Sequence, residues 1–227
     1  MVSNSSLDER ATAVEIGGLV DGVGAPVMRA AYALRSKPSW ITLSSVEGTG
    51  NSQVDVTAPI YKGREGRSGS ITVSVEDLTE DVGIQQSGSN IWDVTTQSLA
   101  FVKTGEAKKF TGNTNLASIT FAVDSDASKW LTAGKLVVAT KQYNSGAAIE
   151  GDPGARDVYS FEIIFTAAAN PTVNVRTGHI TVNGQKYTVT QAAGDATLSV
   201  SPTSLTFAAA GETKQITIST NTAWTIS

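Results

Sequence analysis

The residues of this 227-residue chain that could carry acid–base or thiol chemistry are few. His179 is the only histidine and cysteine is absent, so a Ser-His-Asp relay would depend on His179 and thiolate chemistry is excluded. His179 precedes the run Ile180-Thr-Val182, and successive side chains of a strand point to opposite faces. Because Ile180 and Val182 are apolar, we expect His179 to lie on the solvent face, and we predict no catalytic residue.

Two closely spaced acidic pairs are the candidate metal ligands, Asp124-Ser-Asp126 and Glu150-Gly-Asp152. Carboxylate oxygens suit calcium, but neither pair has the ligand number or the spacing of a calcium-binding loop. A glycosidase needs two carboxylates that face each other across a cleft, and the sequence places no pair in that way. We therefore expect solvated turn residues, no metal or cofactor site, and a protein that is not an enzyme.

Aromatic side chains are the candidates for contact with sugars, because their flat apolar faces stack on sugar rings. Three tyrosines lie in or beside predicted loops, and one tryptophan lies at a junction between repeats, where a contact between domains explains it equally well. These four are the predicted glycan contacts: Tyr61, Tyr143, Tyr159 and Trp92. The other tryptophans sit among alternating apolar residues and are predicted to pack in the core: Trp40, Trp130 and Trp224.

Composition and charge restrict the class of protein. Hydrophobic residues make up 40% of the chain and charged residues 17%, and the abundance of Thr, Ser, Val, Ile and Gly favours strands and turns over helices. The net charge is −4 and the 17 Lys and Arg residues are scattered, which argues against a nucleic-acid partner. No window approaches the ~20 apolar residues of a membrane-spanning helix, so we expect no membrane span.

A long internal repeat determines the predicted domain organisation. Val94-Thr-Thr-Gln-Ser-Leu-Ala-Phe101 recurs 106 residues later as Val200-Ser-Pro-Thr-Ser-Leu-Thr-Phe207, and each copy is followed by Gly-Glu-x-Lys. A repeat of this length is a domain. The predicted order is an N-terminal arm (1–12), module 1 (13–88), module 2 (89–194, with a loop insertion near 142–160) and the closing segment (195–227), which is predicted to be an incomplete third module.

The strands within these modules are predicted from period-two runs of apolar residues. The sharpest local pattern is Ile180-Thr-Val182-Asn-Gly-Gln-Lys-Tyr187-Thr-Val189. Asn-Gly suits a type I′ turn, which requires positive φ at both central residues. We predict a hairpin whose Ile180, Val182, Tyr187 and Val189 side chains face the core, in an all-β chain.

Several motifs resemble those of BACON domains, Ig-like β-sandwich modules associated with Bacteroidetes. The opening motif is Leu198-Ser-Val-Ser-Pro-Thr-Ser-Leu-Thr-Phe207, which module 2 carries less typically, with Thr96 where the family has Pro. Arg67-Ser-Gly-Ser-Ile-Thr-Val73 and Arg176-Thr-Gly-His-Ile-Thr-Val182 are similar to a family strand, and Val189-Thr-Gln191 is similar to its closing motif. The resemblance implies an all-β chain of tandem immunoglobulin-like β-sandwich modules.

The resemblance also implies two functional settings. Such modules occur in virion proteins of bacteriophages, the crAss-like group included, and in surface proteins that bind or degrade glycans. The N-terminus has no export signal and the chain lacks an anchoring cysteine, which favours the virion, assembled in the host cytoplasm, with capsid, portal or tail proteins as partners. The alternative is an extracellular or cell-surface module of a gut bacterium, expressed without its leader, that binds carbohydrate or mucin.

Overall fold

The structure is a computed structural model that describes residues 12–16 and 31–227. It divides into two compact units, 1–89 and 90–227. The first holds module 1, and the second holds module 2 from Asn90 onwards together with the closing segment. Nearly all regular structure is β-strand, which confirms the all-β prediction; the immunoglobulin-like assignment stays a prediction. None of the helical segments that the structure describes is long and apolar enough to cross a membrane.

The first unit consists of two antiparallel sheets. Its strands, in chain order, are β1 Thr12–Ile16, β2 Ala31–Ser36, β3 Thr42–Leu43, β4 Glu47–Thr49, β5 Ser52–Thr57, β6 Arg67–Val75 and β7 Leu78–Gln86. The sheet orders are β1-β5-β3 and β4-β2-β6-β7. Ile41, Val54 and Ile71 are its buried apolar side chains among the described residues. Residues 1–11 of the predicted arm lie outside the described residues.

Module 2 has one sheet of five strands and one of four. Its strands are β8 Trp92–Val94, β9 Ser98–Phe101, β10 Glu106–Thr114, β11 Phe121–Val123, β12 Leu131–Val138, β13 Lys141–Tyr143, β14 Tyr159–Ala167, β15 Arg176–Val182 and β16 Gln185–Gln191. The sheet orders are β13-β12-β14-β10-β8 and β11-β15-β16-β9. The pair β16 and β9 is parallel, and the other pairs are antiparallel.

The two sheets of module 2 enclose one apolar core. Alternate residues of β14 face inward, among them Phe161, Ile163 and Phe165. The ring of Phe110, from one sheet, lies edge-on at 4.7 Å from the ring of Tyr187, from the other. The period-two pattern gives each sheet one apolar face. Each sheet removes this face from water by packing it against the apolar face of the other.

The predicted Asn-Gly hairpin is confirmed. Residues of β15 and β16 pair from Arg176 and Gln191 to Val182 and Gln185, so the connecting turn is Asn183-Gly184. The φ angles are 47° at Asn183 and 76° at Gly184, as a type I′ turn requires. All four predicted inward side chains are buried in the core.

The insertion predicted near 142–160 forms a loop that contacts the core. It begins with β13, contains a 3₁₀ turn at Pro153–Ala155, and ends where β14 starts. Ile149 is buried in the core. A Cβ at Gly154 would lie 2.0 Å from the Asn115 carbonyl oxygen, so the loop approaches the backbone at a position that needs glycine.

The repeat of 106 residues holds in three dimensions. The closing segment contains β17 Leu198–Ser201 and β18 Thr217–Thr220, and Val200 pairs with Ile218 as Val94 pairs with Gly112. Two further pairs, Leu198 with Thr220 and Ser199 with Ser219, have the same offset from Trp92 with Thr114 and Asp93 with Asn113. The pairing of β8 with β10 is therefore reproduced in the closing segment.

The closing segment differs from module 2 in burial. Trp224 is 51% exposed and does not belong to the core cluster. The prediction that Trp224 packs in a core is therefore wrong, because no second sheet covers this segment among the described residues. Trp130 is buried, as predicted, and Trp40 is half-buried.

Candidate functional site

An arginine and a glutamine meet at the end of the hairpin of module 2. Arg176 and Gln191 are paired across β15 and β16, and Arg176 Nε and Nη2 donate to Gln191 Oε1 at 3.2 and 2.5 Å. Arg176 Nη2 also donates to the carbonyl oxygens of Ala168 and Ala169, and its guanidinium lies 5.1 Å from the Trp130 ring centroid. Partial burial lowers the pKa of Arg176, although a guanidinium stays charged in a protein.

Module 1 contains the same arrangement. Arg67 Nε and Nη2 donate to Gln86 Oε1 at 2.9 and 2.7 Å, again across the closing pair of the hairpin. The Arg67 guanidinium lies 4.2 Å from the Trp40 ring centroid and 4.3 Å from that of Tyr61. The sequence shows the repeated Arg and Gln, but their pairing across the hairpin emerges only in the structure.

These two clusters stabilise the modules and offer little to a ligand. Gln191 is fully buried, and its Nε2 donates to the carbonyl oxygens of Val102 and Ala168 at 3.0 and 2.8 Å. Each cation faces an aromatic ring, a favourable placement when the site is partly desolvated. The polar groups are thus paired with one another, as buried polar groups must be.

The side chains considered for acid–base chemistry form a surface cluster on the second sheet of module 2. His179 Nδ1 lies 2.6 Å from Asp126 Oδ2, and the His179 backbone N–H donates to Asp126 Oδ1 at 3.0 Å. The neighbouring Asp124 accepts from Thr181 Oγ1 at 2.7 Å and lies 3.1 Å from Lys186 Nζ. The sequence predicted an outward-facing His179 and solvated aspartates; the structure adds that both aspartates bind side chains of the hairpin.

Hydrogen bonds lower the pKa values of both aspartates. The Thr181 hydroxyl has the largest effect on the pKa of Asp124, and Lys186 adds to it. The hydrogen bond with His179 has the largest effect on the pKa of Asp126. Both groups therefore remain carboxylates at neutral pH and hold the turn after β11 against β15. In residues 12–16 and 31–227 no group of three or more His, Cys, Asp or Glu side chains is placed to hold a metal ion.

The predicted glycan contacts do not converge on one surface. Trp92 stacks on Phe161 at 5.1 Å between ring centroids, and its Nε1 donates to the Tyr187 hydroxyl at 3.4 Å. Tyr159 packs against the core and its hydroxyl donates to the Leu116 carbonyl oxygen. Tyr143 also packs against the core of module 2, whereas Tyr61 belongs to the Arg67 cluster of module 1.

A polar groove that the sequence did not indicate lies on the outer face of the larger sheet of module 2. Its volume is about 460 Å³. Gly112, Val137, Ala139 and Phe161 line it together with hydroxyl, amide and carboxylate side chains: Thr95, Thr111, Asn113, Thr140, Ser160 and Glu162. The pairing of β12, β14 and β10 brings these positions together from distant parts of the chain.

Comparison with known families agrees with the motifs of the hairpins. The model of the BACON family, described as "Putative binding domain, N-terminal", matches residues 31–87 and 117–192. These ranges cover more than half of the chain. The chain belongs to the BACON family. Both BACON matches contain a hairpin with the Arg–Gln pair, and no curated protein matches the sequence.

Several solved structures show distant similarity. Domains 4 and 5 of the S-layer protein SbsC align with 79% of this chain and 80% of theirs, at 10% identity and a TM-score of 0.33. A protein of unknown function from Porphyromonas gingivalis W83 aligns with 71% and 84%, at 12% identity and a TM-score of 0.24. The endo-fucoidan hydrolase MfFcnA4 aligns with 82% and 26%, at 13% identity and a TM-score of 0.26. At these values the likenesses carry no functional argument.

Proposed function

We propose that this BACON protein is a non-enzymatic structural component of a bacteriophage particle, whose modules dock on other virion proteins. One observation carries the choice between a structural and a sugar-binding role. Three of the four predicted glycan contacts are used inside module 2: Trp92 stacks on Phe161, the Tyr159 hydroxyl donates to a backbone carbonyl oxygen, and Tyr143 packs against the core. The fourth, Tyr61, lies against the guanidinium of the arginine cluster in module 1. Their contacts stabilise the modules and leave these side chains unavailable for stacking on sugars. Docking on other proteins is then a task for the strands.

Sheet edges offer the docking surface. In module 2 the strands β13 and β8 border one sheet, and β11 and β9 border the other. An edge strand presents backbone N–H and C=O groups that pair with another chain, and such strand addition is a common mode of recognition between proteins. Contacts of this kind need no exposed aromatic platform.

The test is the composition of purified particles. Mass spectrometry of phage particles from the source should detect this protein at a fixed ratio to the capsid protein. Neighbouring portal, capsid or tail genes would be the expected genomic setting. Absence of the protein from washed particles, or an export signal encoded directly upstream, would contradict the virion role.

The polar groove supports a second candidate, the binding of a glycan by module 2. Its hydroxyl, amide and carboxylate groups match the many hydroxyls of a sugar. In addition, Phe207 and Trp224 of the closing segment are more than half exposed and offer apolar faces. Binding to a glycan array would support this function.

The variant for the glycan test follows from the structure. Tyr143→Ala is a poor choice, because Tyr143 packs against the core and its loss affects folding. Thr140→Lys instead fills the groove from an exposed turn position, and should abolish array binding. The control is Thr132→Lys, on an exposed part of β12, which should retain binding. Equal binding by the two variants would rule out the groove as the glycan site.

A further inference from the structure

Asp152, in the insertion loop of module 2, has a backbone conformation that two steric rules disfavour. Its φ is 40° and its ψ is 63°, in the left-handed region that glycine adopts readily and aspartate only at a steric cost. Pro153 follows it, and the residue before a proline normally has an extended backbone with ψ of about 120° to 160°. Asp152 therefore holds strain both from its own side chain and from the next residue.

The loop fixes this residue on both sides. Before it, Ile149 is buried in the core, and the Ile149 backbone N–H donates to the Ala117 carbonyl oxygen at 2.9 Å. After it, Gly154 is buried and lies so close to the Asn115 carbonyl oxygen that a Cβ would be 2.0 Å away. Strain of this kind persists only where the surrounding structure enforces it, and such residues cluster at functional sites.

The peptide bond after Asp152 is susceptible to attack by the side chain that precedes it. Asp152–Pro153 is the only Asp–Pro bond of the chain. A carboxylate can act as a nucleophile, and the Asp152 carboxylate closes a five-membered ring when it attacks its own backbone carbonyl carbon. The proline nitrogen belongs to a tertiary amide and accepts a proton more readily than an ordinary amide nitrogen, so it is the better leaving group.

The carbonyl group of this bond is already polarised. The Ala155 backbone N–H donates to the Asp152 carbonyl oxygen at 3.0 Å, a distance at which a donor stabilises the oxyanion that develops during attack on a carbonyl. Because nucleophile and carbonyl belong to one residue, the attack is intramolecular and costs no translational entropy. The loop thus combines a nucleophile, a polarised carbonyl, a leaving group and a strained backbone.

We propose that the insertion loop is a self-cleavage site, at which Asp152 breaks its own bond to Pro153 in mildly acidic solution. A carboxylate oxygen of Asp152 forms a bond to the Asp152 carbonyl carbon. The bond from this carbon to the Pro153 nitrogen breaks, and the nitrogen takes a proton from the solvent. The product is a cyclic anhydride, which one water molecule hydrolyses to the two carboxyl groups of a C-terminal aspartate. The net reaction is the hydrolysis of one peptide bond.

Cleavage opens the loop and leaves module 2 assembled. The fragment that begins at Pro153 contains β14, which pairs with β10 and β12 of the other fragment. These two ladders hold the fragments together, while the strain at Asp152 is released and Pro153 gains a free amino terminus. The inference goes beyond the proposed function, because it concerns one bond of the chain itself and no external substrate.

The experiment follows the mass of the full chain over time. The buffer has the lowest pH at which the near-UV circular dichroism of the chain is still native. Mass spectrometry under denaturing conditions should show the fragments 1–152 and 153–227, with masses that sum to that of the chain plus one water. The reference is the same chain unfolded in concentrated urea at the same pH, where the Asp–Pro bond is present without the imposed backbone. Cleavage of the folded chain should be at least about tenfold faster, since release of the strain lowers the barrier.

Three variants assign the reaction to these residues. Asp152→Asn keeps a side chain that tolerates the left-handed backbone but loses the carboxylate, and should be cleaved at least about tenfold more slowly. Pro153→Ala replaces the tertiary amide by an ordinary one and removes the restriction on the preceding residue, and should also be slow. Asp157→Asn, at an exposed position of the same loop, is the matched control and should be cleaved at the wild-type rate.

Each of three results would overturn the proposal. The first is the absence of the two fragments from the folded chain. The second is an equal rate in the folded and the unfolded chain, which would mean that the bond has only its intrinsic lability. The third is cleavage of Asp152→Asn at the wild-type rate, which would assign the reaction to the solvent or to a contaminating protease.

Discussion

Gln191 is the most constrained polar residue of module 2. Its amide nitrogen donates to Val102 and Ala168, and its amide oxygen accepts from Arg176. One side chain therefore connects the end of β16 with the residues that follow β9 and β14. Because Gln191 is fully buried, its replacement by an apolar side chain would remove all of these hydrogen bonds at once.

Replacement of Gln191 by methionine should destabilise module 2. The volume is similar, but the Val102 and Ala168 carbonyl oxygens and the Arg176 guanidinium each lose a hydrogen bond, so we expect a loss of about 2 kcal/mol in the free energy of unfolding. Urea denaturation monitored by tryptophan fluorescence measures it. The matched change Gln142→Met, at an exposed position of β13, should have little effect; equal losses for the two variants would refute this role of Gln191.

The lowered pKa of Asp124 makes part of the stability dependent on pH. Its ordinary value is 3.8, and the folded state lowers it through Thr181 and Lys186. A carboxyl whose pKa is lower in the folded state contributes stability above its unfolded pKa and loses it as pH falls through the folded pKa. Asp124→Asn should therefore be less stable than the wild type at neutral pH.

The pH dependence distinguishes this effect from a general defect. As pH falls below the lowered pKa of Asp124, the difference in melting temperature between Asp124→Asn and the wild type should shrink to near zero. Asp93→Asn, at an exposed position of β8, is the control and should match the wild type at every pH. A constant difference across the acidic range would contradict the charge-based explanation.

Two hairpins of module 2 use the same turn with different residues. The β15–β16 turn is Asn183-Gly184, with φ of 47° and 76°, and the β12–β13 turn is Ala139-Thr140, with φ of 46° and 72°. Positive φ is unfavourable for alanine and for β-branched threonine, whereas asparagine and glycine tolerate it. The β12–β13 turn therefore holds strain that the β15–β16 turn avoids.

Exchange of the strained turn should stabilise the protein. The double variant Ala139→Asn, Thr140→Gly should raise the free energy of unfolding by about 1 kcal/mol, because both residues adopt the required φ without steric cost. Urea midpoints measure the gain. The control Thr132→Gly, within β12 and without positive φ, should instead destabilise. A loss of stability in the double variant would show that the turn residues make other contacts.

At the scale of the whole molecule, module 2 has a core of its own and the closing segment lies outside it. The core of module 2 contains no residue of the closing segment, and the described contacts between them are surface hydrogen bonds and one ion pair, between Lys103 and Asp195. Exposed pairs contribute at most about 1 kcal/mol. The closing segment therefore depends on module 2 for its position, and module 2 depends little on the segment.

Removal of residues 195–227 should leave module 2 folded. We expect the free energy of unfolding of the chain 1–194 to differ from that of the full chain by less than about 1 kcal/mol, and its solubility to rise because an exposed apolar face is lost. Urea denaturation and turbidity at high concentration measure the two effects. A large loss of stability would mean that the segment completes the core of module 2.

Local patterns of sequence determined the all-β fold, the repeat and the Asn-Gly hairpin. These features depend on residues close in sequence: alternation along one strand, φ preferences in a two-residue turn, and a constant offset of 106 residues that the strand register then follows. The outward direction of His179 was predicted from the same alternation. The order of modules as proposed from the repeat stays a prediction.

Tertiary structure alone decided which polar groups meet and which apolar faces stay open. The contact of Asp126 with His179 and the polar groove bring together residues far apart in the chain. The Arg176 and Gln191 side chains lie on one hairpin, but the sequence does not show that Gln191 also bonds Val102 and Ala168. Trp224 was predicted to be buried because its motif is apolar, but burial requires an opposing sheet. A pattern specifies what a strand needs on its apolar face, whereas the packing decides whether anything covers it.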